Sequence, residues 1–259
     1  MTTARINDVE LYYESYGRGL PVVLTEGFAG TTAMWAPQVK AVSDKRRLVL
    51  YDIRGQGRSG SPRAASAYSL DLAVDDLYQL LRQLGAEQAV VGGLSLGGYI
   101  SLHFYRAHPE MVRALVLADT GPGYRNPERR RQWQEECEER ARLLETGGTH
   151  AFAHSAWAAD DYYAPHAALL RLDPLGLANV GRGIMSSAWG VELLSQIRVP
   201  TLILCGEHDT PFLAATDYMA GVIPGARKVI IPNACHASNL DNADAFNAAL
   251  LAFLDEIGV

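Results

Sequence analysis

The run Val90-Val91-Gly92-Gly93-Leu94-Ser95-Leu96-Gly97-Gly98 sets a serine between glycines at the point where an apolar run passes into a helical pattern. A serine hydroxyl attacks a carbonyl carbon poorly at neutral pH, so it must be presented on a tight turn within reach of a base. Gly93 and Gly97 permit that turn, because side chains there would hold the incoming strand and the outgoing helix apart. Gly-x-Ser-x-Gly alone is a weak pattern; the strand before it and the helix after it give it weight. A serine nucleophile needs a general base, and the base needs an acid to orient it. Asp209 follows the apolar run Thr201–Gly206, and His236 follows Val229-Ile230-Ile231. Residues just beyond the strands of a parallel sheet gather along one edge, so Ser95, Asp209 and His236 can meet in space. Asp119, after the run Ala114–Ala118, is the competing acid. Asp209 also has a plainer reading, since it precedes Thr210-Pro211 and could cap a following helix.

Of the other six histidines, His208 beside Asp209 reads as surface or loop filler, and none of His103, His108, His150, His154 and His166 follows a core strand. His150, His154 and His166, with Asp160 and Asp161 near them, lack metal-ligand spacing, so no metal and no cofactor are expected. The glycine-rich run Gly55-Gln56-Gly57-Arg58-Ser59-Gly60 lacks the lysine and the spacing of a phosphate-binding loop. Cys235, beside His236, reads as a small apolar filler.

The elements that must position these residues follow from the hydrophobic period. Val9 to Tyr16 alternates like a strand with one wet face, and Asn7-Asp8 before it is a hairpin turn. Short runs apolar on both faces follow at 21–25, 48–52, 89–93, 114–118, 201–206 and 228–231, the mark of central strands in a parallel sheet. Helical periods at 71–84, 96–108 and 242–257 complete an α/β doubly wound pattern. The rhythm breaks after Gly121. Residues 122–195 contain no convincing strand and a charged helical run from Glu128 to Glu145, whose glutamates and arginines suit a solvated helix face. The expected organisation is a core in two parts, 1–121 and 196–259, with a helical cap inserted at 122–195. The insertion carries Trp133, Phe152, Trp157, Tyr162, Tyr163 and Trp189, more aromatic surface than so small a unit can bury within itself, so some of these rings should face the core.

Composition narrows the class. A chain of 259 residues can bury roughly 70–75% of its unfolded surface in one large domain. With 23 basic and 29 acidic residues the net charge is -6, which offers no electrostatic footprint for nucleic acid or an anionic membrane. Three widely spaced cysteines without a C-x-x-C pair suit free thiols, and the N-terminus has no signal-peptide core, so a cytoplasmic location is expected.

The chain resembles the α/β-hydrolase fold superfamily over essentially its whole length. The resemblance rests on Gly27-Phe28-Ala29-Gly30, on Tyr51-Asp52-Ile53-Arg54-Gly55-Gln56-Gly57-Arg58-Ser59, on the serine run, on Gly206-Glu207-His208-Asp209 and on Cys235-His236, with the nucleophile, acid and base in the order Ser, Asp, His. It is nearest to small bacterial esterases, enol-lactonases, haloperoxidase-like esterases and carbon–carbon bond hydrolases with a helical cap. The resemblance implies Ser95 as nucleophile, His236 as base and then acid, Asp209 as its partner, and the N–H groups of Phe28 and Leu96 as the oxyanion hole. It implies a small or medium, largely apolar ester or lactone as substrate, met by Trp35, Trp133, Trp157 and Trp189. Carbon–carbon cleavage, perhydrolysis and a ligand receptor that has kept the fold are the rival functions. One position departs from the pattern that the resemblance implies, in which a His usually precedes the glycine: this chain has Glu26 there. An ionised carboxylate roughly 6 Å from an oxyanion would raise its energy by about 3 kcal/mol at an effective dielectric near 20. Glu26 must therefore be paired, protonated or turned away, with Arg54 and Arg58 as candidate partners; its use is either that of a tolerated structural brace or that of a group that contacts or protonates the substrate.

Overall fold

The computed structural model describes residues 2–158, 166–187 and 189–259. Eight strands form one sheet: β1 (Thr2–Ile6), β2 (Val9–Tyr16), β3 (Pro21–Thr25), β4 (Arg47–Tyr51), β5 (Ala89–Leu94), β6 (Val112–Ala118), β7 (Thr201–Gly206) and β8 (Arg227–Ile231). Their order is β1-β2-β4-β3-β5-β6-β7-β8, antiparallel through the first two pairings and parallel thereafter. Asn7 and Asp8 both take positive φ (47° and 62°), the backbone of the two-residue turn that suits the twist of a hairpin.

The alternation of side chains across the strands divides the core. Val22, Leu24, Leu48, Leu50, Val90 and Val116 face one layer, and Val23, Val49, Val91, Leu115, Leu117 and Ile203 face the other. The first layer is covered by α1 (Ala36–Ser43) and, at the chain's end, by Phe246, Leu250 and Leu254. The second is covered by α2 (Leu70–Gln83), which Ser69 caps through Leu72 N–H, and by α3 (Leu96–Ala107). Trp35 was expected to touch substrate. It is instead fully buried in the first layer, its ring 6.1 Å from that of Phe246, where an indole serves as packing.

Between β6 and β7 no strand occurs among the described residues. This stretch holds α4 (Pro127–Ala153), α5 (His166–Leu169) and α6 (Pro174–Gly183). Asn126 caps α4 and Pro127 opens it; Gly148, with φ 69° and ψ -172°, breaks it near its end. The charged face of α4 has the expected local pairs, Glu128 with Arg131 and Glu138 with Arg142. It also does something a solvated face would not: Arg182 of α6 reaches Glu138 at 2.6 Å and Glu145 at 2.7 Å, tying the two helices. After β7 come α7 (Thr210–Val222), α8 (Ser238–Asp241) and α9 (Ala243–Glu256). No disulfide occurs among the described residues, and burial pushes the Cys137 and Cys205 thiols up to about 12, as befits filler. Among the described residues no helix is long and apolar enough to cross a membrane.

Candidate active site

Ser95 joins β5 to α3 with φ 56° and ψ -114°, a conformation that costs a non-glycine residue about 1–3 kcal/mol. The neighbours hold it there. Ser95 N–H donates to Ala118 O at 2.9 Å, and Thr120 Oγ1 donates to Ser95 O at 2.7 Å. A Cβ on Gly97 would lie 2.1 Å from Thr25 O, and one on Gly93 would lie 2.5 Å from the same oxygen, so β3 approaches the elbow more closely than any side chain permits. Gly98, to which sequence spacing assigned nothing, is equally required, because its Cβ would lie 2.6 Å from Thr120 Cγ2. Leu96 opens α3, so its N–H is among the four that a helix leaves without an internal partner. Phe28 sits in the turn Gly27–Gly30, closed by Gly30 N–H to Gly27 O at 3.0 Å and with Ala29 at φ 59°, as the third residue of a type II turn requires.

His236 Nδ1 lies 2.9 Å from Asp209 Oδ2, and the imidazole stacks on Phe212 at 4.8 Å between ring centres. Asp209 stands at the N-terminus of α7 but makes no side-chain capping bond to it; its carboxylate is turned to the histidine instead. Asp119 is engaged elsewhere. It accepts from Gly206 N–H at 2.8 Å and from the Ser238 hydroxyl, and burial pushes its carboxyl up to about 8. Asp119, Cys205 and Asp209 bring one donor atom each within 4.8 Å of one another, and the two acids are already engaged in hydrogen bonds, Asp119 with Gly206 N–H and Asp209 with His236. His103 is buried between Tyr99 and Trp189, and burial lowers it to about 4, so it is a neutral packing histidine.

Glu26 is completely buried. Burial first, and the neighbouring Asp52 carboxylate second, push its carboxyl well above the ordinary range, so it holds its proton and the electrostatic penalty of an ionised group is not incurred. Its Oε1 accepts from Ile53 N–H at 2.6 Å and from Gln56 Nε2 at 3.2 Å. The expected arginine partners are committed to other acids. Arg54 forms a buried two-pronged pair with Asp76 at 2.5 Å, and Arg58 binds Glu14 at 2.7 Å. Substrate contact is likewise not what this position offers, since a side chain sealed at 0% exposure has no face toward the cavity.

Beside Ser95 lies a cavity of about 150 Å³, the size that elsewhere takes a benzene-sized molecule. Its wall is mostly apolar: Leu96, Tyr99, Pro122, Tyr124, Trp133, Met185, Pro211, Phe212 and Ala215, with Thr120, Gly121 and Gly123. Trp133 is the one tryptophan in that wall, held by Nε1–H to Met185 O at 2.8 Å. Trp157 instead lies under Arg140, 4.1 Å from its guanidinium carbon, and Trp189 packs edge-on against His103. Phe152 meets the core as expected, edge-on to Phe28 at 6.1 Å. Tyr162 and Tyr163, with Asp160 and Asp161, lie outside the described residues. Several wall residues had a readable signal: Tyr99 is one helical turn past Ser95, Thr120 to Gly123 follow the end of β6, and Phe212 follows the acid by three positions. Met185 had none.

A family model described as the alpha/beta hydrolase fold matches residues 21–138. A protein of Azorhizobium caulinodans with the provisional name carbamate hydrolase RutD is 31% identical over 99% of this chain and 99% of its own length. Among solved structures, a thermophilic esterase from Thermogutta terrifontis, with malate bound, superposes with a TM-score of 0.89 at 26% identity, covering 100% of both chains. An enol-lactonase from Burkholderia xenovorans LB400 gives 0.84 at 28% identity, over 98% of this chain and 100% of that one.

Proposed function

This chain belongs to the α/β-hydrolase family, and from that premise we propose that it is a serine hydrolase of small, largely apolar carboxylic esters or lactones. The observation that carries the proposal is Ser95, held at φ 56° on the elbow between β5 and α3 and opening on the apolar cavity. Phe212 links the rest of the machinery to it: the ring shares the cavity wall with Ser95 and stacks on His236, which is bonded to Asp209. With Nδ1 turned to Asp209, Nε2 of His236 is the nitrogen that accepts the Ser95 proton as Oγ attacks the carbonyl. The Asp209 carboxylate fixes the tautomer and stabilises the imidazolium that forms. The tetrahedral oxyanion is received by Phe28 N–H and Leu96 N–H. His236 then protonates the leaving alkoxide, and water, deprotonated by the same nitrogen, cleaves the acyl-enzyme. The helical stretch 122–195, as a cap, contributes Tyr124, Trp133 and Met185 to the wall and keeps bulk water from the acyl group. A carbamate, the substrate class in the Azorhizobium relative's name, passes through the same tetrahedral oxyanion and belongs in any substrate panel.

The test is a fluorophosphonate probe followed by turnover on p-nitrophenyl esters, a lactone, a carbamate and a vinylogous diketone. Wild type is expected to label at Ser95 and to hydrolyse short esters or the lactone. Ser95→Ala should lose labelling and at least about 10³-fold in kcat while melting as wild type does. Retained turnover in that variant, or a preference for the diketone, would overturn the reading.

A further inference from the structure

The glycine-rich loop after β4 holds no phosphate-binding lysine, yet it is as tightly built as a ligand cradle. Gly55 and Gly57 take φ 81° and 54°, a Cβ on Gly57 would lie 2.2 Å from Asp52 Oδ2, and Asp52 accepts from Thr32 N–H at 2.6 Å and Arg58 N–H at 2.7 Å. The backbone of Gln56 is pinned at both ends, its N–H to Ile53 O at 2.9 Å and its carbonyl to Ser59 N–H at 3.1 Å. What the loop holds is one amide side chain, 1% exposed, aimed at the turn that carries Phe28.

Gln56 Oε1 accepts from Ala29 N–H at 2.7 Å, and Nε2 donates to Gly27 O and to Glu26 Oε1, both at 3.2 Å. A backbone N–H can only donate, so the atom facing Ala29 must be the amide oxygen and the nitrogen must face the two acceptors. Gly27 C=O and Phe28 N–H belong to one planar peptide, and Ala29 N–H belongs to the next. The side chain therefore grips the two peptide planes on either side of the Phe28 Cα. Fixing the Gly27 carbonyl fixes the direction of the Phe28 N–H, and a bond to that carbonyl strengthens the N–H as a donor. The same grip supports Ala29 in its left-handed conformation.

We propose that Gln56 is the positioning residue of the oxyanion donor at Phe28, and that the carboxyl of Glu26 holds Gln56 in register for that task. The inference rests on the serine-hydrolase reading above. It gives Glu26 a role behind the oxyanion loop and away from the substrate, and it gives Gly-x-Gly at 55–57 the purpose of presenting an amide.

Gln56→Met fills the space without donor or acceptor, and Gln56→Glu keeps an acceptor for Ala29 but, held neutral in that buried place beside Glu26, has a single O–H where the amide has two N–H groups and cannot serve Gly27 O and Glu26 together. Both are compared with wild type and Ser95→Ala on p-nitrophenyl acetate, with thermal melting, and by affinity for a trifluoromethyl ketone that adds to the serine as a tetrahedral mimic. The expected result is a kcat lower by about 10- to 100-fold with KM within about threefold, and ketone affinity weakened by the same factor as kcat. Loss of a merely structural tie would lower the melting temperature and leave the ratio of ketone to substrate affinity unaltered; that result overturns the proposal, as does wild-type kcat in either variant. Should Gln56→Met fail to fold, the same readouts on Gln56→Glu decide. Absence of Ser95-dependent turnover in wild type would sink the hydrolase reading and this inference with it, whereas Ser95-dependent turnover undisturbed by both substitutions sinks the inference alone.

Discussion

Two buried acids illustrate how environment separates residues of the same type. Asp209 faces His236 at 2.9 Å, while Asp119 faces a backbone N–H and a hydroxyl, and burial pushes its carboxyl up, toward the protonated form. Asp209→Asn should therefore reduce kcat on a short ester by about 10³- to 10⁴-fold, because an amide at that position favours the wrong imidazole tautomer. Asp119→Asn, nearly an isostere of a protonated acid, should stay within about tenfold of wild type; steady-state kinetics of the two variants side by side check the assignment, and the reverse ranking would refute it. Glu26 makes a different prediction, about stability. Its folded carboxyl keeps a proton that the unfolded chain releases above the ordinary glutamate range, so the folded state binds more protons and stability falls as pH rises through that interval. Glu26→Gln keeps an acceptor for Ile53 N–H and removes the titration. Its melting temperature relative to wild type should rise as the pH is raised above the ordinary glutamate range, and a constant difference would show that Glu26 does not titrate as its burial demands.

At the level of elements, the elbow depends on backbone approach where no side chain can yield. Gly97→Ala would set a Cβ 2.1 Å from the Thr25 carbonyl, forcing β3 and α3 apart. The expected loss is about 3 kcal/mol, a fall in melting temperature of about 6–12 °C, together with most activity. Gly221, exposed near the end of α7 with nothing within 4 Å of its would-be Cβ, predicts the opposite. There Gly221→Ala should stabilise by about 0.5–1 kcal/mol through helix propensity, and paired melting curves test both. The tie from Arg182 to Glu138 and Glu145 shows the same dependence on placement: a helix face that is ordinary in sequence becomes the seam between α4 and α6 once the chain has folded back.

For the molecule as a whole, the cavity is assembled from separated pieces: the start of α3, the loop after β6, one residue of α4, Met185 and the start of α7. Such a wall can be altered from the α4 side without touching the chemistry. Trp133→Ala should shift the ratio of kcat/KM for p-nitrophenyl octanoate over acetate by about tenfold toward the longer chain, since each methylene accommodated is worth a factor of that order. Trp189→Ala should leave the ratio unchanged and lower the melting temperature instead, because its indole packs on His103 and lies 4.4 Å from the Arg106 guanidinium. If Trp189→Ala moved specificity and Trp133→Ala did not, the boundary of the site would be misplaced.

The division between what sequence alone determined and what the tertiary structure decided runs along range and dielectric. The strands, the hairpin at Asn7-Asp8, the serine elbow and the helices at 71–84 and 96–108 were legible because each is governed by side-chain periods and steric limits within a few residues. Gly93 and Gly97 flank a serine for a reason that operates over five positions. The partner of His236, the protonation of Glu26 and the tryptophan that reaches the cavity were not legible in the same way. Asp119 and Asp209 both follow strand ends, and only the folded chain turns one toward the imidazole and the other toward Gly206 and Ser238. Arg54 and Arg58 stand near Glu26 in sequence logic, yet each found an acid elsewhere, and complete removal from water left Glu26 neutral and in need of no cation. Trp35, Trp157 and Trp189 share the chemistry of Trp133 but not its place. Distances between residues remote in sequence, and the exclusion of water that sets the charge of a buried acid, exist only after the layers have closed on one another.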